Sequence, residues 1–145
     1  MSQITQTKIS VDWNYIDNAC KELANRIKND NITFDYIYGI PRGGLVIAVI
    51  MSHLLDIDIL QECYIITNEH ILFVDDISDT GTTLEKYSNT EIANDAKFLT
   101  IHKSTNSKFI PDYYFEETDS WIIYPWETKE TSKADYKEAV KKGEN

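Results

Sequence analysis

The chain has 145 residues, 42% of them apolar, which suffices for one domain with a core of its own. Acidic residues outnumber basic ones by 24 to 14, and the formal net charge of −10 opposes binding to nucleic acid or to an anionic membrane surface. No run of about 18 apolar residues is present, the first residues lack the regions of a signal peptide, and Cys20 and Cys63 have no metal-ligand spacing, so the expectation is a cytoplasmic protein with reduced thiols.

Asp12 to Lys28 reads as the clearest helix. Trp13, Ile16, Cys20, Leu23 and Ile27 recur at helical spacing on one face, Ser10 or Asp12 can cap the start, and Asn29-Asp30-Asn31 ends it. Phe34 to Ile40 reads as the first core strand and runs into Pro41-Arg42-Gly43-Gly44. Leu45 to Leu55 follows, apolar nearly all round, which predicts a buried helix. Arg42 offers a fork of donors suited to phosphate, although taken alone the loop reads as a tight turn with an exposed Arg. Ile59 to Ile66 reads as a second core strand, and Thr67-Asn68-Glu69-His70 as a polar turn, with His70 a turn residue.

Ile71 to Val74 is a short, unbroken apolar run, the pattern of a strand buried on both faces. It ends in Asp75 and Asp76. Asp79 follows, then Thr80-Gly81-Thr82-Thr83, then a short helix from Leu84 to Tyr87. The loop thus sits at the carboxyl end of a strand, where open α/β sheets bind ligands. Its Thr and Gly residues suit a phosphate, since a Gly lets backbone N–H groups converge on an anion. Asp75 and Asp76 suit ribose hydroxyls, as acceptors, or a hard cation such as Mg²⁺. A ligand that asks for both halves is a phosphorylated ribose.

Ser88 to Asp95 is a polar connection, and Lys97 to Ile101 a strand that ends at His102-Lys103. Ser104 to Ser107 is a polar loop. Tyr113-Tyr114 and Ser120 to Tyr124 are further strands, and the alternation of strands with helices predicts a mostly parallel sheet. Trp121 could stack on a flat base, backbone groups around Ile122 could read its edge, and Lys103 could donate to a ring oxygen. Taken singly, Trp121 and Trp126 read as core residues and Lys103 as a surface charge. Thr128 to Asn145 reads as an exposed polar tail, with Tyr136, Ala139 and Val140 forming a weak amphipathic helix.

Three stretches carry a resemblance. Val74-Asp75-Asp76-Ile77-Ser78-Asp79-Thr80-Gly81-Thr82-Thr83 resembles the phosphoribosyl pyrophosphate (PRPP) signature of type I phosphoribosyltransferases. Pro41-Arg42-Gly43-Gly44 resembles the pyrophosphate loop of that family, where the bond before the Arg is often cis. Trp121 to Glu127 is similar to the Trp-Ile-x-x-Pro-Trp-acid segment of its xanthine-guanine branch.

The resemblance implies a single α/β domain over residues 1–127, with a mostly parallel twisted sheet flanked by helices and a small base-binding hood from about residue 103. Residues 128–145 would be the tail. It implies a purine phosphoribosyltransferase that joins PRPP to guanine, hypoxanthine or xanthine. Asp75, Asp76, Asp79 and Thr80 to Thr83 would bind ribose and 5′-phosphate. Pro41, Arg42 and Gly43 would bind pyrophosphate, and Lys103, Trp121 and Ile122 the purine. Asp79 and Arg42 would serve catalysis, and Asp75, Asp76 and Glu127 would hold Mg²⁺. A homo-oligomer, dimer or tetramer, is implied. The chain departs from the family at Thr67 to His70, where a long mobile loop is usual. Two alternatives therefore stand: a PRPP- or nucleotide-binding regulator without turnover, and a phosphoribosyltransferase for a pyrimidine or another small base.

Overall fold

A computed structural model describes residues 7–62, 69–90, 95–128 and 138–141. In chain order the elements are β1 (Lys8–Val11), α1 (Trp13–Asn29), β2 (Tyr36–Gly39), α2 (Gly43–Leu55), β3 (Asp58–Ile59), β4 (Ile71–Ser78), α3 (Thr82–Ser88), β5 (Lys97–Ser104), β6 (Tyr113–Thr118), β7 (Trp121–Ile123) and β8 (Glu138–Lys141). Five strands form one sheet in the order β3-β2-β4-β5-β6, parallel at every pairing. This is the α/β architecture expected from the alternating pattern.

The apolar run of β4 explains how the layers stack. Leu72 and Val74 join the core under α1 and α2, while Ile71 and Phe73 join a second cluster with Leu84 of α3. Both faces of the strand are covered, so the run needs no polar alternation. Asp12 caps α1 by accepting from the Tyr15 N–H at 2.8 Å. The buried face of α1 runs through Tyr15, Ile16, Ala19, Cys20, Leu23 and Ile27.

Several expectations change. Trp13 lies off the buried face of α1, is 53% exposed, and meets Trp126 with ring centroids 5.9 Å apart. α2 is not buried all round. Its core face is Gly44, Ile47, Ala48 and Met51, while Leu45 and Val49 are 47% and 48% exposed, because β2, β4 and α1 cover only one flank. The strand expected over Ile59 to Ile66 is a two-residue edge strand, β3. Cys63 to Asn68, including the first half of the expected polar turn, lie outside the described residues. β3 and β4 are thus separated by residues 60–70, not by Thr67 to His70 alone.

β7 does not join the main sheet. It pairs with β1, which also pairs with β8, in a separate three-stranded parallel sheet of order β7-β1-β8. Residues 138–141 of the expected helical tail therefore form a strand, whose register sets Ala139 beside Ile9 and Val140 beside Ser10. β1 itself was not foreseen. A strand of four residues carries too little period to read, and it is the ladder with its neighbours that fixes it.

Candidate active site

β3 lies on one side of β2 and β4 on the other. The sheet order reverses there, and a crevice opens outside the carboxyl ends of β2 and β4. The Ile40 N–H donates to the Val74 carbonyl at 2.8 Å, beyond the last register pair of these two strands, Gly39 with Val74. β4 does not end at Val74 as expected. It continues to Ser78, because β5 goes on pairing with it, Asp75 opposite Thr100 and Ile77 opposite His102. Main-chain groups in a strand point alternately to its two neighbours. The Val74 carbonyl faces β2, so the N–H and carbonyl of Asp76 face that side too, where β2 has already turned away. Two side chains stand in for it. The Asp76 N–H donates to Asp75 Oδ1 at 2.8 Å, and the Asp76 carbonyl accepts from the Tyr124 hydroxyl at 3.1 Å.

The half-buried acids are held apart from water. Burial, and then the charge of Asp76, push the Asp75 carboxyl up to about 9. Burial also raises Asp76, against the hydrogen bonds that it accepts, one of them from the Ile77 N–H at 2.8 Å. Burial raises Glu127, with Asp76 adding to the effect and Arg42 opposing it. Acids so placed ionise together far more easily beside a cation. Their oxygens suit Mg²⁺, which takes one or two carboxylates and fills its shell with water and phosphate. Among the described residues no group of three or more His, Cys, Asp or Glu could hold a metal ion by itself.

Three cavities meet around Asp76, Asp79 and Glu127. One of about 450 Å³ is bordered by Arg42, Gly43, Asp76, Trp126 and Glu127. A second, of about 140 Å³, is bordered by Asp76, Asp79, Trp121, Ile122, Tyr124 and Glu127. A third, of about 70 Å³, is bordered by Asp79, Thr80, Gly81 and Thr83. Asp76 and Glu127 border the first two, and Asp79 the last two. Arg42 is exposed, and the Pro41–Arg42 peptide is cis. The Thr82 hydroxyl accepts from that of Thr80 at 3.1 Å. Pro41, Asp75, Thr82 and Lys103 border none of these cavities. Lys103 is only 7% exposed, and its Nζ donates to Glu117 at 2.8 Å and to the Ser104 carbonyl at 3.1 Å.

Tyr124, Ile77 and Ser120 also line the second cavity, and the sequence reading passed over all three. A signal for Tyr124 existed: a polar-tipped aromatic closes an apolar strand just before Pro125. Residues 124–127 then form a tight turn, with the Glu127 N–H donating to the Tyr124 carbonyl at 3.0 Å and Pro125 in its favoured second place. Glu127 Oε1 accepts from the Tyr124 N–H at 2.8 Å, which fixes the carboxylate at the cavity mouth.

No protein-family model matches the chain. The xanthine-guanine phosphoribosyltransferase of Cereibacter sphaeroides is 30% identical over 144 residues, covering 81% of this chain and 85% of that protein. The chain belongs to the xanthine-guanine phosphoribosyltransferase family. The Desulfotalea psychrophila xanthine-guanine phosphoribosyltransferase is 27% identical over 150 residues, covering 89% of this chain and 92% of that protein. The crystal structure of a purine phosphoribosyltransferase from Pyrococcus horikoshii matches the fold with a TM-score of 0.75 at 30% identity, over 83% of this chain and 95% of that one. The phosphoribosyltransferase architecture expected from the acidic stretch, the Arg42 loop and the Trp121 segment is therefore the one observed.

Proposed function

We propose that this phosphoribosyltransferase moves the phosphoribosyl group of PRPP onto a six-oxopurine, guanine, hypoxanthine or xanthine, giving a nucleoside monophosphate and pyrophosphate. The observation that carries this reading is the meeting of three cavities around Asp76, Asp79 and Glu127. Pyrophosphate belongs beside Arg42 and Gly43, the 5′-phosphate beside Thr80 to Thr83, and the purine against Trp121 and the backbone of Ile122. Asp75 and Asp76 take the ribose hydroxyls between them.

In the reaction the bond from the anomeric carbon to pyrophosphate breaks, and a purine ring nitrogen bonds to that carbon. Arg42 neutralises charge that grows on the departing oxygen. Asp79, exposed between the purine and phosphate cavities, accepts the proton of the base or fixes its tautomer. Asp75, Asp76 and Glu127 would hold Mg²⁺, which when bound would supply further charge neutralisation on the pyrophosphate. Lys103, which donates to Glu117 and to the Ser104 carbonyl, is the candidate donor to the six-oxo group.

Among the described residues no helix is long and apolar enough to cross a membrane. The reading also expects a cytoplasmic homo-oligomer, which light scattering and fractionation measure. Its test is purine-dependent release of pyrophosphate from PRPP. Release should need both guanine and Mg²⁺ and stop in chelator, and full release in chelator would remove the metal from the account.

A further inference from the structure

We propose that Tyr124 and His102 are positioning residues for the PRPP side of the site: Tyr124 replaces the strand partner that Asp76 lacks, and His102 holds the Tyr124 hydroxyl in place. The proposal rests on the phosphoribosyltransferase reading above.

β2 turns away before Asp76, so nothing in the sheet holds the Asp76 carbonyl. Main-chain carbonyls left without a partner let a strand end drift. Tyr124, 2% exposed, donates to that carbonyl from the hood. Its one proton is thereby committed, so the phenol oxygen accepts from His102 Nδ1, 2.8 Å away. His102 is 1% exposed on β5, and its Nε2 lies 2.9 Å from the Tyr15 hydroxyl of α1. The Tyr15 hydroxyl also contacts Glu116 Oε1 of β6, so its one proton faces two acceptors, His102 Nε2 and that carboxylate.

Rings clamp the same groups. Tyr15 stacks on His102 with centroids 5.6 Å apart, and Trp126 stacks on Tyr124 at 5.0 Å. The chain of contacts thus runs from α1 through β5 to the hood and ends on the main chain of the residue whose carboxylate borders two of the cavities. His102 borders none of the three cavities of the site; it borders a separate one of about 370 Å³ that shares Ser120 and Ile122 with the second, and its contact towards Asp76 runs through Tyr124.

The test uses Tyr124→Phe, His102→Phe, the double variant and His102→Asn, each measured by steady-state kinetics and by calorimetric binding of PRPP with Mg²⁺. Tyr124→Phe keeps the ring and its stacking. Each Phe variant should raise the KM and the Kd for PRPP about five- to tenfold, the size of one neutral hydrogen bond. The purine KM should change less, since Tyr124→Phe keeps the ring that lines the second cavity. The double variant should be no worse than either single one, since both act on one contact. His102→Asn keeps a donor near the Nδ1 position and should recover most of the affinity. Unchanged PRPP affinity in Tyr124→Phe, additive losses in the double variant, or no recovery by Asn would each overturn the proposal. If the wild-type protein binds PRPP but converts no purine, the transferase reading fails on its own, and the positioning roles are still decided by the PRPP binding data.

Discussion

Gly43 stands directly against Asp76: a Cβ at position 43 would lie 2.2 Å from Asp76 Oδ2. The Arg42 loop and the acidic strand therefore meet through a residue with no side chain. Next to it, a Cβ on Gly44 would lie 2.1 Å from the Val74 carbonyl oxygen. The two glycines look alike in sequence but face different groups. The tip of a carboxylate can swing, and the main chain of a central strand cannot.

Gly43→Ala should therefore spare the fold and displace Asp76. We expect a melting temperature near that of the wild type, with kcat/KM for PRPP lowered by up to about 100-fold, as when a reacting group is misplaced by roughly 1 Å. Gly44→Ala should instead cost about 1–3 kcal/mol of stability, as overpacking does. Thermal melts and kinetics on both variants check this. Equal loss of stability in the two would show that Asp76 is not the group that yields.

Trp121 borders the cavity assigned to the base and does not border the phosphate cavity. Trp121→Ala should weaken purine binding by about 1–3 kcal/mol, the scale of base–aromatic stacking. PRPP binding should barely move. Calorimetry with each ligand separates the effects, and equal loss of both would make Trp121 a residue of the hood's packing.

Asp75 gives a dependence on pH. In chelator the folded protein keeps its proton up to about pH 9, against 3.8 for an ordinary aspartate. The unfolded chain releases that proton earlier, so this group's contribution is full below about pH 4 and declines as pH rises towards about 9. Relative to Asp75→Asn, the wild-type melting temperature should fall as pH goes from about 5 to about 8. Mg²⁺ with PRPP should narrow the difference. A difference that does not vary with pH would mean that Asp75 is ionised throughout in the native protein.

The sequence was most legible where residue types are constrained by both fold and chemistry. Ile71 to Val74 announces a strand covered on both faces, and the acids, Gly and Thr that follow have few other uses in that order. The Asp12 cap and the core face of α1 were legible for the same kind of reason. The small three-stranded sheet was less so. β7 was legible as a strand, but its partners β1 and β8 have four residues each, and only their pairing makes them strands. The apolar run of α2 hid its exposed flank, since composition does not say which side a neighbour covers. His102 and Tyr15 carry no motif at all. They meet because α1 packs over β5, a contact between residues far apart in the chain.

The central claim is that the crevice around Asp76 joins PRPP to a six-oxopurine. The most direct measurement is the mass of the product after incubation of the protein with PRPP, Mg²⁺ and each of guanine, hypoxanthine, xanthine, adenine and uracil in turn. The account predicts nucleoside monophosphates from the six-oxopurines, with pyrophosphate in equal amount, and little or none from adenine or uracil. PRPP that binds without forming a monophosphate from any of the purines would contradict it.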